Sequence, residues 1–314
     1  MPGPEADLAL LADAARQAGP IAMRYWRQQP QSWEKPDGAG PVTEADLAVN
    51  ETLETILRRA RPDYGWLSEE SEADPSRLDA SHCFIIDPID GTRAFIAGQE
   101  GFAHSLAVAH GDRITAAIVH LPAMDLTYTA FANGPALLNG RPIAPSDAGI
   151  AGARVLTYRA AAEPGFWRDG RVPGFRREFR PSLAWRLCLA AEGRFDAALS
   201  LRAAWEWDIA AGTLVVSEAG ADIEEAAESV EWISGELAFI GSSRLGHGRV
   251  FIGGRARRLL RVLPVPVVVI PRRTLSGAAP AEASDTAEAA TAKLAGAPVD
   301  GTAVRSAVDA ANVN

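Results

Sequence analysis

The stretch HCFIIDPIDGTRAF, residues 82–95, decides how the rest of the chain is read. An apolar run from Cys83 to Ile86 delivers two carboxylates, Asp87 and Asp90, around Pro88-Ile89. A short buried strand ending in Asp-x-x-Asp at a turn aims two hard oxygen ligands at one point. Gly91 and Thr92 follow, then residues that can start a helix. The first N–H groups of such a helix have no intrahelical acceptor and suit a phosphate. Acidic ligands beside a phosphate cradle point to phosphoryl chemistry.

Upstream, GWLSEES (65–71) reads as a short strand ending in Glu69 and Glu70. PVTEADLAVNETLETILRRARP reads as a helix with Leu47, Leu53, Ile56 and Leu57 on its apolar face. Thr43 fits its N-cap, and Asp46 three residues later completes a capping-box pattern. Residues 30–42 form a loop rich in Pro and Gly. Residues 5–28 have helical spacing, with Gly19-Pro20 as a kink or break.

Downstream, residues 102–143 alternate as a meander of antiparallel strands with turns at Gly111-Asp112, Asn133-Gly134 and Asn139-Gly140. ARVLTY (153–158) begins another strand. SLAWRLCLAAEGRFDAALSL is a helix, a stop at Gly193 and a strand. AWEWDIAAGTLVVSEAG is a helix with Asp208 in its first turn and a stop at Gly220. The fold class is α+β followed by α/β layers. After residue 224, ELAFIGSS, VFIGGRARRLLRVL and PVPVVVIP read as one βαβ unit. The composition of 275–314, mostly Ala, Ser, Thr, Asp and Glu, reads as a disordered tail. The divisions are therefore 1–145, 146–224, 225–274 and 275–314.

The chain has 314 residues, 47% apolar and 23% charged, enough for a sizeable core. A net charge of −9 argues against a nucleic-acid polymer as partner. It leaves room for a small phosphorylated metabolite, because bound cations invert the local field. No run reaches the roughly 18 apolar residues of a membrane span. The N-terminus is acidic and helical in pattern and reads as lacking a signal peptide. Cys83 and Cys188 sit in apolar runs and read as reduced core residues, which implies a cytoplasmic protein.

Taken singly, each acid also has a structural reading. Asp46 caps a helix, Glu69 and Glu70 end a solvated strand, Asp208 complements a helix dipole, and Asp87-x-x-Asp90 makes a turn. His104, His110 and His120 fall in the meander without ligand spacing and read as structural. Trp205 falls near the expected substrate pocket.

Together, VTEAD (42–46), SEES (68–71), DPIDGT (87–92) and WDIAAG (207–212) resemble the inositol monophosphatase superfamily over residues 5–223. The resemblance implies a layered αβαβα sugar-phosphatase fold, a lithium-sensitive Mg²⁺-dependent phosphomonoesterase and attack of water on the ester. It implies that Glu69 and Asp87, helped by the carbonyl of Ile89, hold one metal, and that Asp87, Asp90 and Asp208 hold a second. Thr92, bonded to Asp46, would orient the water. The N–H groups of Gly91 and Thr92 would take the phosphate, and Arg93 either meets a second phosphate or is a surface arginine on the helix. DGTRAFIAG and WEWDIAAG resemble the 3'(2'),5'-bisphosphate nucleotidase (CysQ-type) branch, with inositol-1-phosphate and histidinol phosphate as alternative substrates. A homodimer is compatible with the family. Residues 235–272 resemble the closing βαβ of universal stress proteins, although the phosphate-loop spacing is off. This carries the alternative of a non-catalytic nucleotide-binding module, beside the structural readings of a packing unit that completes a sheet or the remnant of a fusion.

Overall fold

The computed structural model describes residues 2–36, 40–72, 74–148, 152–164, 167, 170–225 and 265–270. Helix α1 (Pro4–Tyr25) leads into strands β1 (Ser32–Glu34) and β2 (Pro41–Thr43), helix α2 (Glu44–Ala60) and strand β3 (Gly65–Ser68). Strand β4 (His82–Asp90) and the short helix α3 (Thr92–Ile96) carry the central motif. The meander comprises β5 (Ala103–His110), β6 (Arg113–Leu121), β7 (Leu126–Phe131), β8 (Leu137–Leu138) and β9 (Arg141–Pro142). Then come β10 (Arg154–Leu156), β11 (Arg176–Glu178), α4 (Leu183–Ala191), β12 (Ala197–Ala204), α5 (Glu206–Ala219), β13 (Asp222–Glu225) and β14 (Val265–Ile270).

β3 to β9 form a seven-stranded sheet in sequence order, in which β4 runs parallel to β3 and antiparallel to β5. The period of two sorts its side chains. Phe84, Ile86, Leu106, Val108, Ala116 and Ile118 pack on one face with Leu11, Val49, Leu53 and Leu57 from α1 and α2. Ile85, Ala107, Ala117 and Val119 face the other way, toward α4 and α5 through Leu187, Leu214 and Val215. Full burial of side chains such as Phe84 and Leu53 stabilises the fold by about 1.5–3 kcal/mol each. The five-stranded sheet, in order β11-β10-β12-β14-β13, contributes Leu156 and Ala198 to the core cluster of α4 and α5. The described layers are therefore α, β, α and β. A fifth layer would fall outside the described residues.

Three expectations change. The Gly19-Pro20 pair does not break α1, which runs through it. Gly19 serves close packing instead, since a Cβ there would lie 3.1 Å from His120 Nε2. The loop at 30–42 contains an antiparallel hairpin that pairs Ser32 with Thr43. Leu47 is exposed, and the buried face of α2 uses Ala45, Asp46, Val49, Asn50, Leu53 and Leu57. Residues 265–270, read as the last strand of one βαβ unit, lie antiparallel between β12 and β13 and so complete a sheet. That strand joins the five-stranded sheet. The other strand and the helix of the expected unit, and the tail at 275–314, lie outside the described residues. Among the described residues no helix is long and apolar enough to cross a membrane.

Candidate active site

The central motif is a bulged strand rather than a turn. Asp87 pairs with Ser105 and Asp90 with Ala103, so three steps on β4 oppose two on β5. In a regular strand, residues three apart point to opposite faces. One extra residue reverses that parity and lets both carboxylates act at the same place. Pro88, which has no N–H to give the ladder, sits inside the irregularity. Asp87 Oδ1 accepts the Ile89 N–H at 3.0 Å and closes the bulge. Next in the chain, Gly91 adopts φ +101°, and a Cβ there would lie 3.2 Å from the Gly101 carbonyl, so only glycine fits. Gly91 and Thr92 open the five-residue helix α3 at this point.

The capping box expected at α2 is present and does double service. Asp46 Oδ2 accepts from the Thr43 N–H (2.9 Å) and Oγ1 (2.6 Å). Its other oxygen, Oδ1, accepts from Thr92 Oγ1 at 3.3 Å, which joins α2 to α3 across the site. Thr92 Oγ1 also lies 3.2 Å from the Ile89 carbonyl, the one named as a metal ligand. Burial pushes Asp46 up to about 6 against the pull of the Thr43 hydrogen bonds, with the Glu69 charge adding to the rise.

The other acids converge electrostatically. Asp87 and Asp90 are buried. Burial raises Asp87 well above the ordinary carboxylate range, and Glu69, Asp90, Asp208 and Asp46 push it further. Asp90 is raised by burial, opposed by bonds from Ser182 Oγ (2.6 Å) and the Ala184 N–H (2.7 Å) at the start of α4. Asp208 is pushed up to about 8, by burial first and by Asp90 next, although the Trp205 N–H holds its Oδ2 at 2.7 Å. Lys35, from the β1–β2 hairpin, bonds Glu69 and Glu70 at 2.7 Å each. Burial drives Glu70 up to about 7 even so.

Each acid is thus turned toward a protein partner. Among the described residues no group of three or more His, Cys, Asp or Glu side chains is gathered closely enough to hold a metal ion as it stands. The donor set still fits a hard divalent cation. It is all oxygen, and its carboxylates are short of neutralising charge, which such an ion relieves. Arg93 is exposed, with Nη2 only 3.9 Å from where a Cβ on Gly40 would stand, so it lies against the hairpin.

Sequence reasoning missed Lys35, Ser182 and Arg186. Arg186 is buried one turn into α4, where Nε donates to the Ser182 carbonyl at 3.3 Å, and its charge favours ionised Asp90 and Asp208. Ser182 was findable as an N-cap before LAWRLCLAA, and its Oγ accepts from the Trp185 N–H. Lys35 left no local signal. The histidines are structural among the described residues: His104 is buried with Nδ1 on the Pro88 carbonyl, His120 meets Thr127, and His110 stacks on His82.

The model of the inositol monophosphatase family matches residues 5–255. The match passes residue 223, where the motif resemblance ends, and covers much of the stretch compared with universal stress proteins. An inositol-1-monophosphatase of Rhizobium meliloti is 36% identical over 200 residues, 57% of this chain and 70% of that protein. A Nus factor SuhB of Pseudomonas aeruginosa is 33% identical over 240 residues, 70% of this chain and 85% of that protein. The crystal structure of the extragenic suppressor protein suhB from Bartonella henselae superposes with a TM-score of 0.66 at 26% identity, covering 85% of this chain and 95% of that one. These relatives carry inositol-1-monophosphatase or SuhB names. With its family match taking in the whole seven-stranded sheet and all four acidic motifs, the chain belongs to the inositol monophosphatase family.

Proposed function

We propose that this site hydrolyses the phosphomonoester of a small polyhydroxylated metabolite, inositol-1-phosphate in the first instance, by attack of water on phosphorus. The Asp46–Thr92 contact, set beside the mutually repelling Asp87, Asp90 and Asp208, carries the reading. Thr92 Oγ1 gives its hydrogen to Asp46 and so turns a lone pair toward the attacking water. The proton released as the new P–O bond forms passes through Thr92 to Asp46. An Asp46 pKa near 6 suits a base working close to neutral pH. Gly91 and Thr92 present first-turn N–H groups to the phosphate oxygens. Glu69, Asp87, the Ile89 carbonyl, Asp90 and Asp208 are the residues that would hold Mg²⁺. A bound Mg²⁺ supplies Lewis-acid activation of water and neutralises charge on the phosphate and the leaving oxygen.

The names of the relatives support inositol-1-phosphate. A 3'(2'),5'-bisphosphate nucleotide is the second reading, favoured by Arg93 after the DGT motif and by the aromatic pair around WEWD. Free Cys83 and Cys188 fit a reducing cytoplasmic setting. The test is turnover of inositol-1-phosphate, 3'-phosphoadenosine 5'-phosphate and histidinol phosphate with Mg²⁺, with and without Li⁺. A folded protein that hydrolyses none of the three would refute the reading.

A further inference from the structure

One aromatic surface beside the acids is unused by these roles. Trp205 is the N-cap of α5, and its backbone N–H holds Asp208 at 2.7 Å, yet the residue is 42% exposed. The Trp207 ring stacks on it with centroids 5.2 Å apart and planes 14° from parallel. Trp207 is itself anchored. Its ring packs against the core cluster of α4 and α5, and its carbonyl accepts from Ser105 Oγ at 3.1 Å. The outer indole therefore has its backbone fixed to an acid of the site and its ring backed by a second, held ring. Single exposed apolar residues are ordinary. A supported, parallel pair next to Asp208 is a preformed stacking platform.

We propose that Trp205 is a specificity-determining residue whose ring receives the flat base of a nucleoside leaving group, so that the site takes purine nucleotide esters in addition to cyclitol esters. The proposal rests on the phosphomonoesterase reading of the same site. A leaving group departs beside the charge that neutralises its oxygen, and Asp208 is one residue group assigned there. What lies beside Asp208 then meets the organic part of the substrate. An indole pair offers π surface and little hydrogen bonding, whereas a cyclitol is edged by hydroxyls that need polar partners. A purine has a π face on both sides and gains from stacking on a ring already held in place.

The experiment is steady-state kinetics of the full chain with Mg²⁺, comparing wild type, Trp205→Ala and Trp205→Phe. Substrates are 3'-phosphoadenosine 5'-phosphate, inositol-1-phosphate and glycerol 2-phosphate, which has no ring. Trp205→Ala is expected to raise KM for the nucleotide about tenfold or more, with kcat nearly unchanged. Trp205→Phe restores most of the loss, and KM for the two other esters shifts by less than about twofold. Equal shifts for all three esters, no shift for the nucleotide, or a wild type that hydrolyses only the other two would overturn the platform. If the wild type hydrolyses nothing, the phosphomonoesterase reading has failed. Titration with adenosine 5'-monophosphate then decides the platform separately. Saturable quenching of tryptophan fluorescence that Trp205→Ala abolishes upholds it, and its absence overturns it.

Discussion

Lys35 Nζ stands 2.7 Å from Glu69 Oε1 and 2.7 Å from Glu70 Oε1, so the β1–β2 hairpin places a cation against an acid assigned to metal binding. Burial alone would lower the Lys35 pKa, but the Glu69 charge and the hydrogen bonds to both glutamates outweigh it and raise the value. Lys35→Met therefore leaves two neighbouring carboxylates uncompensated. The metal-free variant should lose on the order of 2 kcal/mol of stability, read by denaturant melts. It should also bind Mg²⁺ more tightly in calorimetry, because the ion no longer competes with an internal ammonium. Weaker binding would instead make Lys35 an organiser of the metal-bound site.

Asp87 behaves differently under substitution because its surroundings disfavour its charge. It is buried, and four other carboxylates raise its pKa further. Asp87→Asn removes that repulsion while leaving an oxygen to accept the Ile89 N–H. Turnover should fall by about 100-fold or more through the loss of a metal ligand, while the metal-free melting temperature holds or rises. Loss of fold together with activity would show that Asp87 is needed for the bulge itself.

Local signals were legible and distant ones were not. The Thr43–Asp46 capping box depends on residues three apart, and it forms as read. The alternation in β4, β5 and β6 has a period of two that burial enforces on both faces, so the meander was legible as well. The Asp87–Asp90 spacing marked two candidate ligands but not the bulge, because register is set by the partner strand. Lys35 meets Glu69 across 34 positions from a loop without periodicity, and nothing in its neighbours announces the contact. Gly19-Pro20 misled because a glycine needed for packing against His120 has the same local appearance as a helix stop. Leu47 misled because α2 turns a small and polar face, Ala45, Asp46 and Asn50, toward the interior near the site.

Thr92 separates positioning of water from metal binding. Its hydroxyl bridges Asp46 and the Ile89 carbonyl, and neither contact is needed to gather the carboxylates. Thr92→Ala should lower kcat by about 10–100-fold with the Mg²⁺ dissociation constant nearly unchanged, and Thr92→Ser should recover most of the rate. A parallel loss of Mg²⁺ affinity in Thr92→Ala would contradict the assigned role.

Gly91 is a backbone requirement. At φ +101° any other residue is strained, and its Cβ would press on the Gly101 carbonyl at 3.2 Å. Gly91→Ala should cost about 1–3 kcal/mol by chemical denaturation and displace the start of α3, so that turnover falls as well. Retained stability with lost turnover would place the effect on the phosphate cradle alone.

The response to pH follows from acids whose folded-state pKa values are raised. Asp208 rises to about 8 and Asp46 to about 6, from an ordinary 3.8. Between about pH 4 and 8 the folded, metal-free protein holds protons that the unfolded chain has released, so stability falls as pH rises through this window. Mg²⁺ needs these carboxylates ionised, and its binding strengthens over the same range as proton competition fades. Melting temperature in the absence of metal should therefore drop from about pH 5.5 to about pH 8. The increment produced by saturating Mg²⁺ should grow over the same interval, because bound ligand stabilises the folded state in proportion to its affinity. Asp208→Asn should flatten both trends. An Mg²⁺ increment that is constant with pH would mean that the ion binds away from these acids.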